Sequence, residues 1–214
     1  MIDFIKQTVE NSKLSNIVLK HSTTGDGRLD SAESEIVVIK HLVDLFSDTE
    51  IEVILAPRER HWYDIMLKFK DEMYPINIKI TSGVAADNIS SKLGVFYTLT
   101  GIDPETISGL TRWSSYNQLL VDNLKPTTTT NYYFIVYFKE QEKFLFTSLK
   151  HLDKLVANGN NLPFQCNWSD NLNSTQRSEE EQLKYLMQTY FDSWLKKTGG
   201  FEPLLQWKET QNEN

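Results

Sequence analysis

The stretch Trp62-Tyr63-Asp64-Ile65-Met66-Leu67-Lys68-Phe69-Lys70-Asp71-Glu72-Met73-Tyr74-Pro75-Ile76-Asn77-Ile78-Lys79-Ile80-Thr81 decides how the chain is read. Trp62 to Lys70 alternates in part between apolar and polar residues, as a half-buried strand does. Asp71-Glu72 is a turn. Tyr74 to Thr81 alternates strictly, with Ile76, Ile78 and Ile80 on one face. Two such runs across an acidic turn predict an antiparallel hairpin. Side chains two apart on a strand share a face, so Asn77 and Lys79 project together, away from the isoleucines. The hairpin brings Asp64 alongside them.

Outward from the hairpin, Glu50 to Ala56 reads as a strand ended by Pro57, and Arg58-Glu59-Arg60-His61 as a charged connection. Upstream, Asp30 or Ser31 is positioned to cap a helix reaching about Ser47. Its apolar residues, from Ile36 to Phe46, cover most of its circumference, which predicts burial on nearly all sides. Lys20 to Arg28 is a polar loop, and Ile2, Ile5 and Val9 stand at helical spacing. Downstream, Thr81 to Ala86 is a loop, and Asp87 or Asn88 starts a helix that Gly101 stops near Leu99. A helix over 111–124, a hairpin over Tyr132–Phe138 and Phe144–Thr147, and a short helix from Leu149 to Ala157 follow. Asn158 to Gln176 is irregular. Ser178-Glu179-Glu180-Glu181 is a capping box opening a helix to Lys197. The order predicts an α/β domain: a mixed β-sheet flanked by helices.

At 214 residues the chain has the length of a single domain. Its 40% apolar and 24% charged content excludes a disordered or coiled-coil chain. No apolar run is long enough to span a bilayer. The lone cysteine, Cys166, excludes a disulfide framework and a cysteine-rich zinc site. With no secretory pattern at the N-terminus, these features place the protein in the cytoplasm, away from membranes. Net charge is −7, but the acidic excess sits near the two ends; the middle is neutral to slightly basic and leaves room for a phosphate-bearing partner. The four histidines show no metal-ligand spacing. No phosphate-cradling glycine motif and no acyl-transfer triad context is present.

A lysine beside a carboxylate on one strand face suits metal-dependent phosphodiester hydrolysis. The carboxylate holds Mg²⁺, the ion polarises the phosphate, and the ammonium orients the attacking water. The Asp64 … Asn77-Ile78-Lys79 arrangement resembles the PD-(D/E)xK nucleases, type II restriction endonucleases in particular. Three flanking features strengthen the likeness. A helix rich in early acids precedes the hairpin, with Glu35 on the face of Ile39, Leu42 and Phe46, and Glu33 as the fallback. The stretch from Thr81 to Lys92 is similar to the one that follows the lysine in HincII-type enzymes. A later hairpin and a terminal helix stand where they would complete the family's mixed sheet. The likeness covers about residues 30–100, taken as the catalytic core of one restriction-endonuclease-like domain over 1–214. The remainder, 101–214, is assigned to DNA contact and dimerisation. Two positions depart from the pattern: Tyr63 replaces the proline before the first acid, and Asn77 replaces the second acid.

The resemblance implies a Mg²⁺-dependent endonuclease that cuts double-stranded DNA at specific sites as a homodimer, leaving 5′-phosphate and 3′-hydroxyl ends. Asp64 and Glu35 would hold the ion together with the backbone carbonyl of Ile78, Asn77 would complete the site, and Lys79 would position the water. Arg58, Arg60, Lys92 and Arg112 are expected at phosphates. Ser82, Asn88 and Ser91 are expected near bases, with Asn suited to adenine edges. Trp113 and Tyr116 are further candidates for DNA contact, while the aromatic run at 132–138 reads as core. Two alternatives stand beside this reading: a DNA-binding relative without catalysis, which Asn77 favours, and a protein-interaction domain, which the net charge favours.

Overall fold

The computed structural model describes residues 1–14, 27–83, 85–89, 91–159, 163–198 and 209–210; for 27–33 it describes the backbone alone. In chain order the elements are α1 (Ile2–Asn11), α2 (Gly27–Phe46), β1 (Glu52–Leu55), β2 (Ile65–Phe69), β3 (Glu72–Thr81), β4 (Asp87–Asn88), α3 (Lys92–Thr100), α4 (Trp113–Asn123), β5 (Tyr133–Phe138), β6 (Lys143–Ser148), β7 (Val156–Ala157), β8 (Phe164–Cys166) and α5 (Glu179–Thr198). Short 3-10 turns occupy Pro104–Thr106, Leu149–His151 and Trp168–Asn171. The fold is α/β, with a five-stranded mixed sheet and a smaller three-stranded one. Among the described residues no helix is long and apolar enough to cross a membrane.

The chain forms two compact units: Met1–Ala85 with Tyr133–Ser148, and Ala86–Tyr132 with Leu149–Asn214. The stretch expected to be the catalytic core, about 30–100, divides between them.

The first unit holds the five-stranded sheet, in the order β1-β2-β3-β5-β6. The β1, β2 and β3 strands run antiparallel in sequence, β5 joins β3 in parallel, and β6 returns antiparallel. The later hairpin therefore completes the mixed sheet as expected. Parallel pairing places Ile76, Ile78 and Ile80 beside Tyr133, Ile135 and Tyr137, and Asn77 and Lys79 beside Phe134 and Val136. The isoleucine face forms the core with Ile5 and Val9 of α1 and Val38, Leu42 and Phe46 of α2. The other face is also covered at β5, where Phe134 and Val136 are fully buried. The aromatic run is core, as expected.

Several boundaries differ from the expectation. The α2 helix starts at Gly27, so Asp30 and Ser31 lie inside it and cap nothing. It is not buried on all sides: Ile36 is 64% exposed and Val43 39%. Helical periodicity reports which residues are apolar; the row Val38, Leu42, Phe46 is buried in the core, with Ile39 and Leu45 packed against it in part. The β2 strand begins at Ile65, after Asp64, for a reason given below. Glu72 opens β3, and the turn is made at Lys70, whose φ is +54°. The loop expected at 20–28 lies largely outside the described residues.

The second unit contains the sheet β4-β8-β7 and helices α3, α4 and α5. Asp87-Asn88 is a strand, not a helix start; α3 begins five residues later, where Ser91 accepts the Gly94 N–H as its cap. Gly101 closes α3 in the left-handed conformation with φ +72°. Instead of a helix over 149–157 there is one 3-10 turn followed by β7. The terminal helix, α5, packs on β7, β8 and that turn. Its capping box is present in full: Ser178 N–H donates to Glu181 Oε2 at 2.7 Å, and Glu181 N–H to Ser178 Oγ at 3.3 Å.

Candidate active site

Asp64 sits where β2 parts from β3. Its N–H donates to the Ile76 carbonyl at 2.9 Å and its carbonyl accepts the Ala56 N–H at 3.0 Å, so both neighbouring strands hold its backbone. The next N–H of β3 facing that way, on Ile78, has as acceptor the Asp64 carboxylate at 2.6 Å. A side chain has taken the place of a strand, which is why regular β2 begins only at Ile65. In a strand the N–H and C=O of one residue point to the same side. The Ile78 carbonyl is thus directed to the side of Asp64.

Glu35 reaches this region from α2, one position off the buried row of Ser34 and Val38. It is half-buried, and burial pushes its carboxyl up to about 7; the Asp64 charge pushes the same way, and the Lys79 ammonium opposes both. The Asp64 carboxyl is likewise raised by burial, and held down by the Ile78 N–H and by Lys79. The two acids and the lysine therefore lie within electrostatic reach of one another, in a setting where a second negative charge is disfavoured. Asn77 lies on the strand face it shares with Lys79. Its Oδ1 is buried and has no hydrogen-bond partner, an arrangement that costs about 1–3 kcal/mol if nothing fills it.

These residues fit a hard divalent cation. Carboxylate, amide and carbonyl oxygens are the donor types that suit Mg²⁺; the Glu35 and Asp64 carboxyls repel each other, and the Asn77 Oδ1 and the Ile78 carbonyl are further oxygens on β3. The set is short of charge: among the described residues no three His, Cys, Asp or Glu side chains gather as a metal-ligand group. The fallback acid Glu33 lies outside the described side chains.

Of the residues expected at DNA, Arg58, Arg60 and Ser82 are exposed in the first unit. Arg58 and Arg60 lie on the connection that leads into Asp64, and Ser82 follows β3. Arg60 adopts the left-handed conformation at φ +57°, rare for a long side chain. The other four belong to the second unit. Ser91 is occupied as a helix cap. Lys92 donates to the Thr111 carbonyl, and Arg112 is exposed at the start of α4. Asn88 does not suit bidentate adenine readout. Its Oδ1 already accepts amide protons from Asn158 at 2.7 Å and Gln165 at 2.9 Å, which leaves its NH₂ as the group facing outward. An adenine needs both an acceptor and a donor. Tyr116 is fully buried with its hydroxyl on the Lys92 carbonyl, so it meets no external ligand; Trp113 is half-exposed.

Sequence reasoning missed Lys197 and Trp194, which gather around Trp113. They lie about 80 residues away along the chain, and no spacing pattern links them to it. No family model and no curated protein matches this chain.

Proposed function

We propose that the protein is a Mg²⁺-dependent endonuclease of the PD-(D/E)xK type, hydrolysing phosphodiester bonds of double-stranded DNA at specific sites as a homodimer. The observation that carries this reading is the mutual electrostatic reach of Glu35, Asp64 and Lys79 where β2 parts from β3. The meander β1-β2-β3 with β5 added in parallel supports it, because the resemblance implies a mixed sheet that displays the acid and the lysine from adjacent strands.

Glu35, Asp64, the Asn77 amide oxygen and the Ile78 carbonyl would hold the ion. When bound, it supplies Lewis-acid polarisation of the scissile phosphate and charge neutralisation. Asp64 is fixed for its part by the Ile78 N–H, which removes its rotational freedom before substrate arrives. Lys79 presents an ammonium that donates a hydrogen bond to the attacking water and faces the negative charge growing on the phosphate. Glu35 takes up or releases a proton near neutrality, so its charge is set by what binds beside it. Asn77 contributes a neutral donor where the usual pattern has an acid, which lowers affinity for the ion. Arg58 and Arg60 offer charge to the DNA backbone in the same unit.

The test is incubation of the protein with phage DNA and Mg²⁺, in parallel with Lys79→Ala. Discrete fragments are expected from the parent. The variant should cut at least about a hundredfold more slowly and still shift DNA in a gel. Normal cutting by Lys79→Ala would remove the assignment. A second reading, a DNA-binding protein without catalysis, is favoured by the neutral Asn77. It predicts a gel shift with no cleavage across Mg²⁺, Mn²⁺ and pH.

A further inference from the structure

The five-stranded sheet of the first unit has two edges, and only one of them is closed. At β6 the α1 helix packs on the edge strand, and Glu10 Oε1 accepts the Phe146 N–H at 3.1 Å. At β1 the direction of the backbone groups follows from the next strands. Met66 of β2 stands opposite Ile54 on one side and Pro75 on the other, and proline has no N–H to give. The Met66 backbone therefore bonds to Ile54. The Ala56 N–H also turns inward, to the Asp64 carbonyl at 3.0 Å. Backbone groups alternate in direction along a strand, so the N–H and C=O of Val53 and Leu55 point away from the sheet. Among the described residues no hydrogen bond meets them.

An open edge strand is usually blunted by a proline, a lysine or a bulge. The β1 strand, Glu-Val-Ile-Leu, carries none of these. Its one charge, on Glu52, faces the Lys68 ammonium of β2 at 3.8 Å. Apolar surface stands beside the edge instead. Leu55, at the end of β1, is 53% exposed. On α2 the His41 ring stacks on Phe144 of β6, and the exposed Ile36 and Val43 lie on the opposite flank, away from β6.

We infer that two copies of this chain join through their β1 edges, antiparallel across a two-fold axis at Ile54, into one continuous sheet. Three features select a second copy as the occupant. Val53 and Leu55 are two residues apart, so a two-fold at Ile54 sets each opposite the other and pairs every outward group of both strands. In that register Glu52 falls opposite Ala56, and no like charges face one another. With β6 closed by α1, each copy has one open edge in this sheet, so the association is isologous and stops at two. The inference gives the proposed homodimer its interface and rests on that part of the reading; it needs neither metal nor cleavage.

Sedimentation velocity of the whole protein over a concentration series, without DNA or metal, tests this. The parent should pass from monomer to dimer. Leu55→Pro removes one outward N–H from each copy and spares the inward bonds of Ile54 and Ala56. It should weaken dimerisation by at least about tenfold. Leu55→Lys, on a half-exposed side chain, should do the same and keep the parental circular dichroism. Ile54→Cys would face its own copy at a non-hydrogen-bonded pair, where strands approach closely enough for a disulfide. It should give a covalent dimer on oxidation, whereas Lys143→Cys on the closed β6 edge should not. A parent that stays monomeric leaves β1 to a strand of some other protein and overturns the interface. So does a dimer that survives both Leu55 variants and gives no Ile54→Cys cross-link. If the parent cuts DNA with Mg²⁺ in either case, the nuclease reading stands without this interface. A β1 dimer that never cuts sinks the nuclease reading and leaves the interface in place.

Discussion

At Glu35 a single proton links folding to pH and, on the proposed reading, to metal. Its carboxyl is raised from 4.5 to about 7 in the folded protein, chiefly by burial and then by Asp64. Between those values the folded protein holds a proton that the unfolded chain has released. The stabilisation is complete below about 4.5 and is lost as pH rises through about 7. Urea midpoints of the metal-free protein should therefore fall over that interval, and Glu35→Gln should flatten the decline. Cation uptake needs the ionised form, so Mg²⁺ should bind more tightly as pH rises through the same range and should release protons. Calorimetry in buffers of different ionisation enthalpy measures that release. Asp64→Asn keeps an oxygen for the Ile78 N–H and removes one of the two repelling charges. It should raise the melting temperature of the metal-free protein while abolishing cleavage. Asn77 is the residue where the sequence pattern and the chemistry part most clearly. The amide is legible in the sequence at the position where the resemblance would put an acid, but its unpartnered buried oxygen shows only in three dimensions.

The helix that carries Glu35 has one fully buried row, with Ile39 and Leu45 packed beside it in part. Leu42 is fully buried against the sheet between Val38 and Phe46, so Leu42→Ala should cost about 2–5 kcal/mol in chemical denaturation. Ile36, on the open side, should tolerate alanine within about half a kcal/mol. Gly94 in α3 sets two effects against each other. Helix propensity favours alanine there by about 1 kcal/mol. A Cβ, however, would stand 3.0 Å from the buried Tyr132 ring, and overpacking typically costs about 1–3 kcal/mol. Crowding wins, and Gly94→Ala should lower stability. Elements with strong local signals are legible in the amino-acid order itself: the α5 capping box, the Gly101 stop of α3 and the β5–β6 hairpin. Those without a local signal are not. The strand at Asp87–Asn88 exists because β8 pairs with it, and two residues carry no strand periodicity of their own.

For the whole molecule, a net charge of −7 means that, on the proposed nuclease reading, attraction to DNA would come from local groups and not from the overall field. Binding should accordingly collapse with salt, with a log–log slope that counts a few phosphates. Analytical ultracentrifugation should find two protomers on one duplex if each cuts one strand of a palindrome. The amino-acid order alone dictates the α/β class, the hairpin that pairs an acid with a lysine, and the separation of isoleucines from Asn77 and Lys79, because alternation and turn chemistry act between near neighbours. Packing in three dimensions settles the rest. It sets the interruption of β2 that turns the Asp64 carboxylate toward Ile78, the approach of Glu35 to that carboxylate, and the gathering of Trp194 and Lys197 around Trp113. Each of these joins residues far apart in the chain, and the forces that join them, burial and charge at close range, exist only once the elements are packed.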